Sequence, residues 1–197
     1  MSQPAAALPQ RPKHSGRGTH KLELVRSGDP SNGSPDPTPP STARPDLHFQ
    51  VEPFHTIARE LPPLFLRHWE ELAVDKDAIP LDPDWDRYFL LAAENKLAVM
   101  TMRASDALVG YIFNIVGPHL HYRSSIHAHV DMFWLDPNYR GTWMTLRWFR
   151  ANDDMLREIG GKRASIGVKN HFMAGRAGSI FRRLGYRPTD TVWTKVL

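Results

Sequence analysis

The hydrophobic pattern divides the chain near residue 47: before it apolar residues are scattered, and after it they alternate or recur at helical spacing. His48-Phe49-Gln50-Val51-Glu52-Pro53 alternates, which predicts a first strand that Pro53 ends. Residues 57–73 are apolar at 57, 61, 64, 65, 69, 72 and 73, close to helical spacing, with Pro62-Pro63 breaking or restarting the helix. Residues 79–84 read as a proline-punctuated loop and 85–95 as a second helix with Tyr88, Leu90 and Leu91 inward. Residues 96–103 and 107–116 predict an antiparallel pair joined by Ala104-Ser105-Asp106, with a bulge or close backbone approach at Gly110.

Residues 125–135 form the next strand. Strict alternation puts Ile126, Ala128, Val130, Met132 and Trp134 on one face and His127, His129, Asp131 and Phe133 on the other. A turn at Asp136-Pro137-Asn138 leads to a long helix opening near Thr142. Its apolar stripe is Met144, Trp148, Met155 and Ile159, widened by Leu146, Phe149 and Leu156. Gly160-Gly161 ends this helix. A strand over 162–169, a helix over 172–184 and a closing strand over 191–197 complete the pattern, and no internal repeat is apparent.

Composition separates an arm from a domain. Nine of the 17 prolines lie in residues 1–46, mixed with Gly, Ser, Thr and Gln, so this arm cannot bury enough surface to offset its ordering entropy and is expected to be disordered. It lacks the apolar core of a signal peptide, and no run approaches the ~20 apolar residues of a membrane span. Residues 47–197 are expected to be one α/β domain. The chain has no cysteine, which excludes disulfides, thiolate metal sites and a cysteine nucleophile and fits a reducing cytoplasm.

Charge is unevenly spread. Residues 47–139 hold seven Lys/Arg against thirteen Asp/Glu, whereas residues 140–197 hold twelve against four. The basic half begins where a strand runs into a helix N-terminus, whose unpaired N–H groups and positive dipole end make an anion site. Arg140 ahead of it and Gly141, which lets backbone come close, suit phosphate binding. A nucleic acid is the other ligand of a basic face, but no aromatic-interleaved basic motif is present.

Leu135-Asp136-Pro137-x-Tyr139-Arg140-Gly141, followed by a helix, a strand, a second helix and Leu184-Gly185-Tyr186, resembles the GNAT superfamily of N-acetyltransferases. His68-Trp69-Glu70-Glu71, Ile79-Pro80-Leu81-Asp82-Pro83-Asp84-Trp85 and His119-Leu120-His121-Tyr122 resemble a small GNAT group common in bacteriophage genomes. The resemblance covers about residues 50–197. It implies a mixed, twisted, mostly antiparallel sheet with a central, splayed parallel strand pair, flanked by helices. It also implies acetyl-CoA as co-substrate, a small-molecule or protein amine as acceptor, and a cytoplasmic location, the host's if the chain is phage-encoded. No metal is expected. A homodimer is open, because sheet edges often pair.

The resemblance assigns roles by position. Phe133, Trp134 and Leu135 match the segment that pairs with the pantetheine arm, and Asp131 is the nominated general base, with a water held by His127 or His129 as the other proton acceptor. Arg140, Gly141, Thr142, Trp143, Met144 and Thr145 form the diphosphate turn. Trp143 and Thr145 stand where the family usually has small residues. Asn170 falls where many relatives contact the pantetheine. Phe181 replaces the general-acid tyrosine, which leaves Tyr122, Tyr186 or water to protonate the thiolate, Tyr186 fitting the core better. Trp69, Glu70, His121 and Tyr122 are the candidates for the acceptor pocket. His119-x-His121 and His127-x-His129 raise a rival metal reading, and a fold kept for binding or as a virion-associated protein, with little activity, is the alternative to an enzyme.

Overall fold

The computed structural model describes residues 46–169 and 174–197, so most of the expected arm, and Asn170, lie outside the described residues. The elements run β1 (Leu47–Val51), α1 (Phe54–Ile57), α2 (Leu61–Leu72), α3 (Trp85–Ala93), β2 (Leu97–Ala104), β3 (Ala107–His119) and β4 (Tyr122–Leu135). A 3-10 turn (Pro137–Tyr139), α4 (Trp143–Glu158), β5 (Gly161–Ile166) and α5 (Ala174–Arg183) follow. The sheet order is β1-β2-β3-β4-β5, antiparallel except for the parallel pair β4/β5.

Two hydrophobic clusters occupy the two faces. One gathers Trp148, Phe149, Met155, Leu156 and Phe181 from α4 and α5 onto Ile112, Ala128 and Val130. The other gathers Phe54, Ile57, Leu61, Leu64 and Phe65 from α1 and α2 onto Val99, Tyr111, Phe113 and Trp134. The helix expected from residue 57 is interrupted after Ile57 and restarts as α2 at Leu61, with Pro62 and Pro63 opening the restarted helix. They sit in its first turn, where the missing N–H groups have no intrahelical acceptor to lose. In α3, Tyr88, Trp85 and Ala92 pack inward, whereas Leu90 points to solvent.

Alternation along β4 fails at one residue. Phe113 pairs with Met132 and Asn114 with Val130, so Asp131 is an extra residue bulged out of the ladder. A one-residue bulge exchanges the faces of everything after it. Ala128 and Val130 therefore share the α4 side with Phe133 and Leu135, while Met132 and Trp134 join the α2 cluster. A second bulge on β3, at Val109, precedes Gly110. A Cβ at Gly110 would lie 2.7 Å from Leu135 Cδ1, 3.0 Å from Trp134 O and 3.2 Å from the Trp148 ring. Gly110→Ala is expected to cost about 1–3 kcal/mol in urea unfolding, since the Trp134 carbonyl belongs to the sheet and cannot yield.

The closing strand expected over 191–197 does not form. Those residues carry no ladder, and Val192 and Trp193 are 82% and 90% exposed. Alternation alone makes no strand: backbone N–H and C=O groups need a neighbouring ladder. β5 is consequently the sheet edge among the described residues, and the parallel pair stands at that edge instead of the centre. On the inner side of α4, Asn152 exchanges hydrogen bonds with Asn114 of β3 at 2.8 and 3.2 Å, and Asn114 also donates to Ala98 O at 3.0 Å. Both amides are buried, and their mutual satisfaction fixes α4 along the sheet.

Candidate active site

The parallel pair opens at one end. β4 and β5 stay in register as far as Val130↔Ile166, and β4 continues to Leu135 without β5 beside it. The bulge at Asp131 falls at this fork and turns β4 away, since a bulge bends its strand and sharpens the local twist. Along Asp131–Leu135 the edge that faced β5 offers an extended row of N–H and C=O groups, which is a template for an extended, amide-bearing ligand. The side chains there are spent on the core: Trp134 and Leu135 are buried, and Phe133 meets Phe149 and Phe181 edge-on at 5.3 and 6.0 Å.

The strand runs directly into the helix N-terminus. Asp136 accepts from Asn138 N–H at 2.9 Å and so shapes the 3-10 turn, after which Gly141 takes φ +75°. That value lies in the left-handed region, and nothing stands within 4 Å of where a Cβ would be. Thr142 caps α4 by backbone geometry, without a side-chain hydrogen bond. Within the turn Arg140 N–H bonds Pro137 O and Thr145 N–H bonds Thr142 O, leaving the N–H groups of residues 141–144 without a backbone acceptor among the described residues. Trp143 does not obstruct them. Its ring is 67% exposed and is covered by the Arg147 guanidinium at 4.9 Å. Met144 packs on the core, and the Thr145 hydroxyl is buried without a partner among the described residues, so it faces inward instead of serving the turn.

Arg140 is held by its neighbours. Its guanidinium donates to Leu135 O at 2.6 Å and forms a two-point ion pair with Glu71 of α2, one contact at 2.6 Å. Trp134 Nε1 donates to the same carboxylate at 2.8 Å, and Arg67 stacks on that indole at 5.1 Å while bonding Asp136 at 2.6 Å. The hydrogen bond from Arg140 holds the Glu71 carboxyl below its ordinary range, against its burial. Burial pushes Asp136 up, but the Asn138 amide and Arg67 outweigh it and hold the group low. These contacts tie the end of β4 and the anion turn to α2. Arg140 thus acts on the turn as a strut, and the ligand-facing groups there are amides.

Beside this strut His68 hydrogen-bonds Tyr111 Oη through Nδ1 at 2.8 Å and stacks on Trp134. Burial pulls the imidazole down to about 4 from 6.5. The folded state therefore holds it neutral, and the unfolded chain takes up its proton first as pH falls below 6.5. Its contribution is complete above pH 6.5 and is lost towards pH 4, by about 3 kcal/mol. Denaturant titrations between pH 6.5 and 5 should show stability falling, a slope that His68→Gln flattens. Glu71 and Asp136, both held low, add their losses only at lower pH.

A cleft of about 430 Å³ opens on the α2 face, between α2, the 73–83 segment, Tyr88 of α3, Met132 of β4, Lys169 after β5 and the tail at 194–196. Trp69 lines it, whereas Glu70 lines a neighbouring shallow pocket with Arg67 and Glu71. Asp131 is exposed next to Met132, and its charge, after burial, helps push Tyr88 up to about 12. His121 and Tyr122 are not part of this group. They sit at the tip of the β3–β4 hairpin, nine or more residues along β4 from the fork, stacked with His119 and His127 in an exposed ring cluster. No group of three His, Asp or Glu side chains among the described residues is placed to hold a metal ion. Phe181 is buried in the core, and burial, with the hydrogen bond that Tyr186 donates to Asp153 at 2.6 Å, raises the Tyr186 pKa, so that hydroxyl is committed to a carboxylate. Tyr88, Lys169 and the loop aspartates were missed from sequence: only the fold brings these six parts of the chain to one cleft.

No protein-family model matches the chain, and no curated protein does. Solved structures share its fold. An aminoglycoside acetyltransferase from an uncultured soil metagenomic sample, in complex with trehalose, is 14% identical with a TM-score of 0.60, covering 77% of this chain and 96% of that one. The ribosomal-protein-alanine N-acetyltransferase of Brucella melitensis biovar Abortus 2308 is 13% identical with a TM-score of 0.57, covering 77% and 99%. A predicted acetyltransferase of Clostridium acetobutylicum, solved with acetyl-CoA, is 14% identical with a TM-score of 0.56, covering 77% and 96%. At these identities the likeness is one of fold. Among the described residues no helix is long and apolar enough to cross a membrane.

Proposed function

We propose that the chain is a GNAT-superfamily N-acetyltransferase that moves the acetyl group of acetyl-CoA to a primary amine. The observation that carries this reading is a conjunction: β4 parts from β5 beside a bulge at Asp131, and the same strand feeds an open helix N-terminus. Acetyl-CoA needs both halves. Its diphosphate suits the amides of residues 141–144 with open space at Gly141, and its amide-bearing arm suits the β4 edge that β5 leaves uncovered beyond Val130, as far as the Leu135 carbonyl that Arg140 holds. Acetyltransferase folds among the structural neighbours support it, one of them solved with acetyl-CoA. The bacteriophage-type upstream motifs fit a cytoplasmic enzyme within this superfamily.

The thioester supplies an activated acyl group. A neutral amine attacks its carbonyl carbon, the C–N bond forms, the C–S bond breaks, and the amine's proton leaves as CoA departs. Asp131 is the proton acceptor in this reading, because it is exposed at the fork and its field reaches the cleft wall at Tyr88. Backbone N–H groups of the β4 edge stabilise charge on the thioester oxygen. With Phe181 buried and Tyr186 bonded to Asp153, the thiolate takes its proton from water.

An acceptor screen for CoA release tests the reading. Release that requires both acetyl-CoA and an amine is the expected result. Absence of release with every amine class, together with CoA binding, would favour a binding protein built on this fold.

A further inference from the structure

We infer that the acceptor is an α-amino acid with an apolar side chain, bound in the cleft beside the fork with its carboxylate on Lys169; this rests on the acyl-transfer reading above. Three features of the cleft point there. Much of its wall is apolar: Trp69, Ile79, Leu81 and Val196 all line it, and the last three are 57%, 37% and 46% exposed. Large apolar side chains left open around one concavity mark a surface that a ligand covers.

Its lining carries both signs of charge. Asp75 and Asp82 lie on the 73–83 segment, where Lys76 also holds its ammonium 5.1 Å over the Trp69 ring, while Lys169 and Lys195 come from the end of β5 and the tail. None of the four charged lining residues enters an ion pair among the described residues. An apolar cleft lined by both cations and anions fits a zwitterion with an apolar body better than a ligand of one sign.

The fork fixes the orientation. Asp131 follows the last paired residue of β4, and Lys169 stands three residues beyond the last paired residue of β5, so the two flank its mouth. An α-amino acid carries its amine and carboxylate on one carbon. With the carboxylate on Lys169, the amine meets Asp131 and the side chain runs along Trp69 towards Leu81. The product is the N-acetyl amino acid with its carboxylate kept, plus CoA. Asp75 and Asp82, on the 73–83 segment, repel an acidic side chain. A polyamine would satisfy those two carboxylates but leave both lysines facing further positive charge.

The test compares CoA release by the full chain with L-phenylalanine, L-leucine, L-glutamate, phenethylamine and spermidine. The kcat/KM for phenylalanine and leucine should exceed that for phenethylamine about 10- to 100-fold, the value of one hydrogen bond between charged groups. Lys169→Met should bring the phenylalanine-to-phenethylamine ratio to about one by raising KM, with unchanged thermal unfolding. A preference for spermidine or phenethylamine, or a ratio indifferent to Lys169→Met, overturns the inference. Saturation-transfer NMR with phenylalanine separates it from the parent reading. Binding that Lys169→Met abolishes, without release from any amine, upholds the cleft assignment and defeats acyl transfer; absence of binding defeats the cleft assignment itself.

Discussion

Asp131→Asn is expected to lower kcat about 10²- to 10⁴-fold, the usual share of a general base, while CoA binding persists. Asparagine keeps the shape of the side chain and its hydrogen-bonding reach but cannot take the amine's proton. The site is exposed and already bulged from the ladder, so folding stability should change by less than about 0.5 kcal/mol. That combination separates a chemical defect from a folding one. Steady-state kinetics with a saturating amine is the measurement. An unchanged kcat would move proton acceptance to water held by His127 or by His129, whose Nδ1 lies 3.0 Å from Ser165 Oγ.

The second large effect is structural. Trp148→Ala should destabilise the fold by about 3–5 kcal/mol in urea unfolding. Trp148 is fully buried in α4, against Phe149 and beside Gly110, so its removal leaves a cavity in the core. Its Nε1–H is buried and unsatisfied among the described residues. Trp148→Phe deletes that orphaned donor together with part of the ring, so it should cost clearly less than the alanine change. Equal losses in the two variants would contradict this account of the packing. Because α4 carries the anion turn at its N-terminus, the alanine variant should also weaken CoA binding before it unfolds.

What sequence conveyed and what it did not follow one physical line. Periodicity located β2, β3, α4 and β5 because each buries one face against its neighbours, and burial is what periodicity records. The turn into an open helix N-terminus was legible from Arg140-Gly141 and the helix behind them, although the guanidinium braces that turn through Glu71. The bulge at Asp131 was not legible. A single extra residue leaves no mark in the hydrophobic pattern except that Met132 and Phe133 both look apolar, and strict alternation then assigns them to the wrong faces. Residues 191–197 alternate like a strand yet have no ladder, since pairing depends on an edge that local sequence does not specify. The cleft beside the fork was harder still. Trp69, Lys169 and the loop aspartates come together only through the fold, and His121-Tyr122, adjacent to β4 in sequence, are carried to its far end.

Calorimetric titration of the full chain with CoA tests the central claim most directly, namely that the amides after Tyr139 hold a diphosphate while the strand before them holds the arm. One-to-one binding that weakens with added salt, and that Gly141→Val abolishes because a β-branched residue cannot adopt φ +75° without strain, is the predicted result. No heat of binding at millimolar CoA, or binding indifferent to Gly141→Val, would contradict it.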